Sequence, residues 1–179
     1  MLTKPNGNIY LTGFMGSGKT TSGKKLAKLL GANFIDLDFY LEQKEKLSIE
    51  SIFESFGELA FRKMEQTALL EIISKESNTV IALGGGTICY ENNLENIKNN
   101  GLLVFIDLPT ATLAQRLEKS KVKRPLLKLM KEGDLILYIN DKLNERKHFY
   151  EQAHIIISGI SLTPQILQQK ISDYKKHNN

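Results

Sequence analysis

A single cysteine, Cys89, rules out an internal disulfide framework and suits a reducing compartment. No apolar run approaches the roughly 20 residues that a membrane span requires. The opening MLTKPNGNIYLTGF enters a strand pattern with no signal-peptide-like apolar stretch, so the cytoplasm is the expected location and no membrane partner is expected. Nothing repeats and nothing falls into low complexity. No basic face interleaved with aromatics and no groove-reading motif is present, which sets nucleic acid aside as a partner. Acid is scarce where the chain begins: residues 1–35 carry five lysines and no Asp or Glu. Such an opening suits a polyanionic ligand.

What is present is the composition of an ordinary globular protein. The 179 residues are 41% hydrophobic and 25% charged with a net charge of +4, enough for one good core in a single domain over 1–179. Short apolar runs near 8–12, 33–37, 79–83, 102–107 and 154–158 read as strands. Amphipathic stretches fill 18–30, 49–75 (broken near Gly57), 92–99, 110–119, 133–152 and 163–176. This alternation predicts an α/β fold, a parallel sheet covered by helices on both faces, with ligands at the carboxyl ends of the strands.

The stretch GFMGSGKTT, residues 13–21, lies between a strand and a helix and satisfies G-x-x-x-x-G-K-[ST] in full. Glycines there let backbone N–H groups turn inward around phosphate oxygens, and the helix N-terminus favours negative charge. Gly16, Ser17, Gly18, Lys19, Thr20 and Thr21 form the expected nucleotide-triphosphate site. Lys19 reaches the β- and γ-phosphates, and the Thr20 hydroxyl coordinates Mg²⁺.

The partner acid is harder to place, because the strand TVIALGGGT at 79–87 has none. FIDLD offers Asp36 and Asp38 at the end of the second strand, and LLVFID offers Asp107. If the D-x-D is extended, its two side chains point to opposite faces. That predicts a division of labour, with Asp36 toward the loop and its metal and Asp38 toward the acceptor. Two plainer readings stand beside it: Asp107 marks a turn, and the D-x-D pair caps the next helix.

Three features point to an anionic acceptor. In KLNERKHFYEQA, Arg146 falls on the apolar stripe of Ile136, Ile139, Leu143 and Tyr150, and an inward arginine needs an anionic partner. Arg62 and Glu65 are three apart, so Glu65 can orient the guanidinium while its fork stays available to a carboxylate. Gly84, Gly85 and Gly86 end the third strand, where missing side chains let a ligand approach the backbone. Beyond them, KSKVKRP gathers Lys119, Lys121, Lys123 and Arg124. Such a run is a solvated surface by default, but over a phosphate loop a basic segment can neutralise charge on the transferring phosphoryl group, the role read here for Arg124.

Together these residues resemble the shikimate kinase family across nearly the whole chain. The resemblance implies a nucleoside-monophosphate-kinase-like, three-layer α/β/α P-loop fold with a five-stranded parallel sheet, an acceptor-binding segment about 37–65 and a mobile lid about 119–134. GFMGSGKTT resembles the family's phosphate loop, DLD its D-x-D, FRKME its F-R-x-x-E, GGG its acceptor glycines and RPLL its lid motif. Arg146 to Tyr150 resembles R-x-x-x-Y. By that resemblance Asp36 supports Mg²⁺, and Asp38 contacts the shikimate hydroxyls and joins Lys19 and Arg124 in catalysis. Arg62 and Arg146 bind the acceptor, Phe53 and Phe61 line its pocket, and Arg116 lies against adenine. The implied activity is ATP:shikimate 3-phosphotransfer by a monomer using ATP, shikimate and Mg²⁺, in aromatic amino-acid biosynthesis. Two positions depart from the family pattern: His148 stands where Pro is frequent, and His154 where Asp is. A gluconate-type sugar-acid kinase would share the loop and an anionic acceptor, and a non-catalytic ATP-binding module would need neither arginine. FRKME, GGG and RPLL in one chain favour the first reading.

Overall fold

The computed structural model describes residues 7–120, 134–160 and 162–178. Five strands form one sheet: β1 (Asn8–Thr12), β2 (Asn33–Asp36), β3 (Thr79–Ala82), β4 (Gly101–Asp107) and β5 (Ile155–Ser158). All neighbours are parallel, in the order β2-β3-β1-β4-β5. Among the described residues the helices are α1 (Lys19–Leu30), α2 (Leu37–Glu45), α3 (Ile49–Lys75), α4 (Asn93–Asn99), α5 (Thr110–Glu118), α6 (Asp134–Tyr150) and α7 (Pro164–Asn178), with a 3-10 turn at Thr87–Cys89.

The central strands are apolar at consecutive positions because both faces of the sheet are covered. Tyr10, Ile81, Leu103 and Phe105 point to one side, where they meet Leu69 and Ile72 of α3, Ile97 of α4 and Tyr150 of α6. Ile9, Leu11, Val80 and Val104 point to the other, against Leu26 of α1 and Leu167 and Ile171 of α7. Each fully buried Leu, Ile or Phe stabilises such a core by about 1.5–3 kcal/mol. A third cluster, Phe14 with Leu113, Leu117, Leu135 and Ile139, packs α5 and α6 beneath the loop that follows β1. No helix among the described residues is long and apolar enough to cross a membrane.

The five strands and six of the helices lie where the sequence pattern places them, within about two residues. Two expectations need correction. Residues 37–45 form a helix, α2, that the pattern does not announce, since only Leu37 and Leu41 of it are buried. The D-x-D is therefore not extended: β2 ends at Asp36, whose carboxylate caps α2 by accepting the Phe39 N–H at 3.3 Å, and Asp38 sits in the first helical turn. The stripe of α6 also differs at its first position, while Ile139, Leu143 and Tyr150 pack inward as expected. Leu135, Ile139 and Tyr150 are buried, whereas Ile136 is 43% exposed.

Inside α3 the backbone breaks at Gly57, with φ 80° and ψ 173°. That φ favours glycine, and nothing lies within 4 Å of where a side chain would begin.

Candidate active site

Because β1 is flanked by β3 and β4, the chain leaves it toward β2 and later crosses back, opening a crevice at the carboxyl ends of β1, β3 and β4. The loop 13–18 lies there. Gly16 and Gly18 adopt positive φ of 83° and 94°, and Gly18 starts α1 without a side-chain cap or an acid in its first turn. The positive end of α1 is thus left for an external anion. Lys19 Nζ bridges the loop, donating to the carbonyls of Gly13 at 2.7 Å and Phe14 at 3.0 Å. Ser17 is buried in the turn, while Thr21 is exposed on the first turn of α1. From α5, Arg116 extends Nη1 to the Gly16 and Ser17 carbonyls, both at 3.4 Å.

Thr20 Oγ1 donates to Asp36 Oδ2 at 2.6 Å, so the end of β2 brings a carboxylate to the loop's hydroxyl. Paired hard oxygens of this kind fit Mg²⁺, which takes one or two protein ligands and keeps several waters. Asp107, the other acid considered, lies exposed at the end of β4.

Across the crevice a second group of residues is held by side chains. Arg62 on α3 donates from Nη1 to Glu65 Oε2 at 2.8 Å and lies 3.5 Å from Glu58 through Nη2. Burial works against its charge, but Glu65 and Glu58 outweigh it, and the guanidinium is held above its ordinary value. Phe61, buried beside it, lies 5.0 Å from the guanidinium carbon and 4.4 Å from the Phe53 ring. Arg146 on α6 is half-buried with its guanidinium 5.8 Å from the Phe14 ring. One turn further on, Tyr150 donates its hydroxyl to the Gly85 carbonyl at 2.6 Å and stacks on Phe105. Burial pushes the Tyr150 phenol up to about 12, against the opposing Arg146 charge, so it stays a donor at neutral pH. Cys89 is half-buried nearby; burial raises its thiol, against Arg146 and Arg62.

The glycine run shows why side chains are excluded there. A methyl group at position 84 would lie 2.5 Å from Glu65 Oε1 and 3.2 Å from Asp38 Oδ1. At 86 it would lie 2.8 Å from Arg62 Nη2. At 85 it would meet Arg146 Nη1, the Gly13 carbonyl and the Met15 N–H nitrogen, each at 3.5 Å. The three glycines thus border, in turn, the two carboxylates, the junction of both halves, and Arg62. Arg124 and the RPLL motif, with residues 121–133 of the expected lid, lie outside the described residues.

Sequence reasoning did not single out Thr87, whose hydroxyl donates to Glu65 Oε1 at 2.6 Å. No motif marks it; only its place directly after the glycines does. Nor did spacing reveal the bond from Tyr150 to Gly85, which joins residues 65 apart.

A sequence model of the shikimate kinase family matches residues 15–175. A shikimate kinase of Azobacteroides pseudotrichonymphae is 41% identical over 148 residues, which is 83% of this chain and 87% of that protein. The solved structure of the Acinetobacter baumannii shikimate kinase in complex with shikimate has a TM-score of 0.85 at 37% identity, covering 99% of this chain and 96% of that one. A gluconokinase from Sinorhizobium meliloti, at 15% identity and a TM-score of 0.58 over 97% of this chain and 94% of that one, shares the fold alone.

Proposed function

The chain belongs to the shikimate kinase family, and from that membership we propose how its own residues divide the work. It is an ATP-dependent phosphotransferase that moves the γ-phosphate of ATP to the 3-hydroxyl of shikimate, giving shikimate 3-phosphate and ADP. The backbone of Gly16, Ser17 and Gly18, with Thr20 and Thr21, receives the triphosphate. Lys19 exchanges its two loop carbonyls for phosphate oxygens, and Arg116 covers the adenine side. Mg²⁺, when bound, neutralises charge on the β- and γ-oxygens; Thr20 and Asp36 would hold it.

On the acceptor side Arg62 and Arg146 bind the shikimate carboxylate, and Phe53 and Phe61 wall its ring. Gly84, Gly85 and Gly86 let it lie against backbone. Asp38 binds the hydroxyls and takes the proton that leaves the 3-hydroxyl. Lys19 and Arg124 meet the charge that spreads over the transferring phosphoryl group. One observation supports this arrangement above the others: a side chain begun at Gly85 would meet both Arg146 and the phosphate loop, so Gly85 lies between the proposed anion and triphosphate sites. Positioning across that boundary supplies much of the rate. The chain acts as a single domain and a monomer in the cytoplasm.

The test is ADP release by the purified protein with ATP and Mg²⁺, run with shikimate, with gluconate and without acceptor. Release that depends on shikimate supports the reading. Release with gluconate would move the chain to the sugar-acid kinases, and acceptor-independent ATP binding without turnover would make it a binding module.

A further inference from the structure

Glu65 is the most deeply placed acid of the acceptor side, 1% exposed, and its two oxygens are shared between two donors. Oε2 accepts from Arg62 Nη1 at 2.8 Å and Oε1 from Thr87 Oγ1 at 2.6 Å. Thr87 is itself fully buried, and its own carbonyl accepts from Asn93 Nδ2 at 2.9 Å, also within the core. The 3-10 turn after the glycines is thereby pinned to α4, and its hydroxyl is aimed at one carboxylate oxygen. The absent side chain of Gly84 leaves the room, since a methyl there would stand 2.8 Å from the Thr87 hydroxyl.

A buried carboxylate opposite a guanidinium tends toward a two-pronged pair, which engages two N–H groups of the arginine at once. Here Oε1 is directed to Thr87, and Arg62 meets only Oε2 of Glu65. A guanidinium has five N–H groups; the bonds to Glu65 and Glu58 leave the others for an incoming carboxylate. We propose that Thr87 is a positioning residue for the acceptor: by holding Glu65 Oε1 it keeps Arg62 in a one-pronged pair and turns the rest of the fork toward the shikimate carboxylate. This rests on the reading of Arg62 as an acceptor ligand. Asn93 supports the same geometry from behind.

Thr87→Val keeps the shape and removes the donor. Arg62 then closes on both oxygens of Glu65, and the KM for shikimate rises about tenfold or more, the effect of losing a hydrogen bond to a buried charge. The KM for ATP stays within about twofold, because the phosphate loop makes no use of Thr87. Thr87→Ser restores the hydroxyl and brings the shikimate KM back near that of the parent. Thr87→Ala, a second variant without the donor, moves in the same direction as the valine. The proposal is overturned if neither Val nor Ala moves the shikimate KM. It also fails if both KM values rise together with a fall in Tm, or if Ser behaves like Val. Arg62→Ala, measured in parallel, separates the two readings. If it leaves the shikimate KM unmoved, the acceptor site itself is wrong; if it raises the KM while Thr87→Val does not, only the role of Thr87 falls.

Discussion

The side of the crevice proposed for the nucleotide is built largely on one backbone loop, and the side proposed for the acceptor is built on side chains from separate elements. On the first, the loop 13–18 turns through glycines of positive φ, and Lys19 is held by two carbonyls of that same loop. On the second, Arg62, Glu65, Thr87, Arg146 and Tyr150 come from α3, the turn after β3 and α6, tied by bonds spanning 22 and 65 residues of chain. On the proposed reading, the backbone side takes a group common to all nucleoside triphosphates. On the same reading, the side-chain side would discriminate one small carboxylate, which needs donors placed by burial and by one another.

If that contrast holds, damage to each side should be separable. Lys19→Met should show the largest effect, lowering kcat about 10³-fold while shikimate binding measured by calorimetry stays intact. Arg62→Ala should lower kcat/KM for shikimate by about 10²–10³-fold, since one member of a buried charged pair is removed. ATP affinity should hold. Adjacent glycines then sharpen the boundary. Gly84→Ala, which presses on Glu65, should raise the shikimate KM about tenfold with no change for ATP. Gly85→Ala, in ordinary contact with both sides, should shift both KM values together by about two- to threefold. If Gly84→Ala moved both equally, the two sides would not be distinct.

The smallest effect belongs to neither side. His154, at the entry to β5, accepts the Leu103 N–H through Nδ1 at 2.9 Å, and burial followed by Lys98 holds its ring below the ordinary 6.5. The folded state therefore binds this proton less readily than the unfolded chain. Its contribution is complete above about 6.5 and is lost as pH falls through that value toward the lowered one. Thermal melts between pH 5 and 8 should show a modest acid-side fall in Tm that His154→Gln flattens, with both KM values at neutral pH unmoved.

The difference between the two sides also explains what could be read from the letters. A loop built from adjacent residues leaves a contiguous signature, so 13–21 was legible, as were the strands, because burial on both faces writes unbroken apolar runs. The acceptor side was legible in parts: Arg62 and Glu65 share a helix face by spacing alone. Thr87 was not, because its meaning depends on a carboxylate 22 positions earlier. Helix α2 escaped for a related reason. Two buried leucines are too few to mark a period, and its start is declared by the Asp36 cap, which in the sequence competes with a role at the phosphate loop. In the fold Asp36 contacts both.

The kink at Gly57 makes α3 two levers on one pivot. The stretch beyond it, with Phe61, Arg62 and Glu65, is anchored in the core by Ala68, Leu69 and Ile72. The stretch before it is anchored as well, by fully buried Ile52, and carries Phe53, partly buried against Phe61. In evolutionary terms the pivot is a seam. A change of angle at that seam would move Phe53 relative to Phe61 while Arg62 and Glu65 keep their register against the sheet.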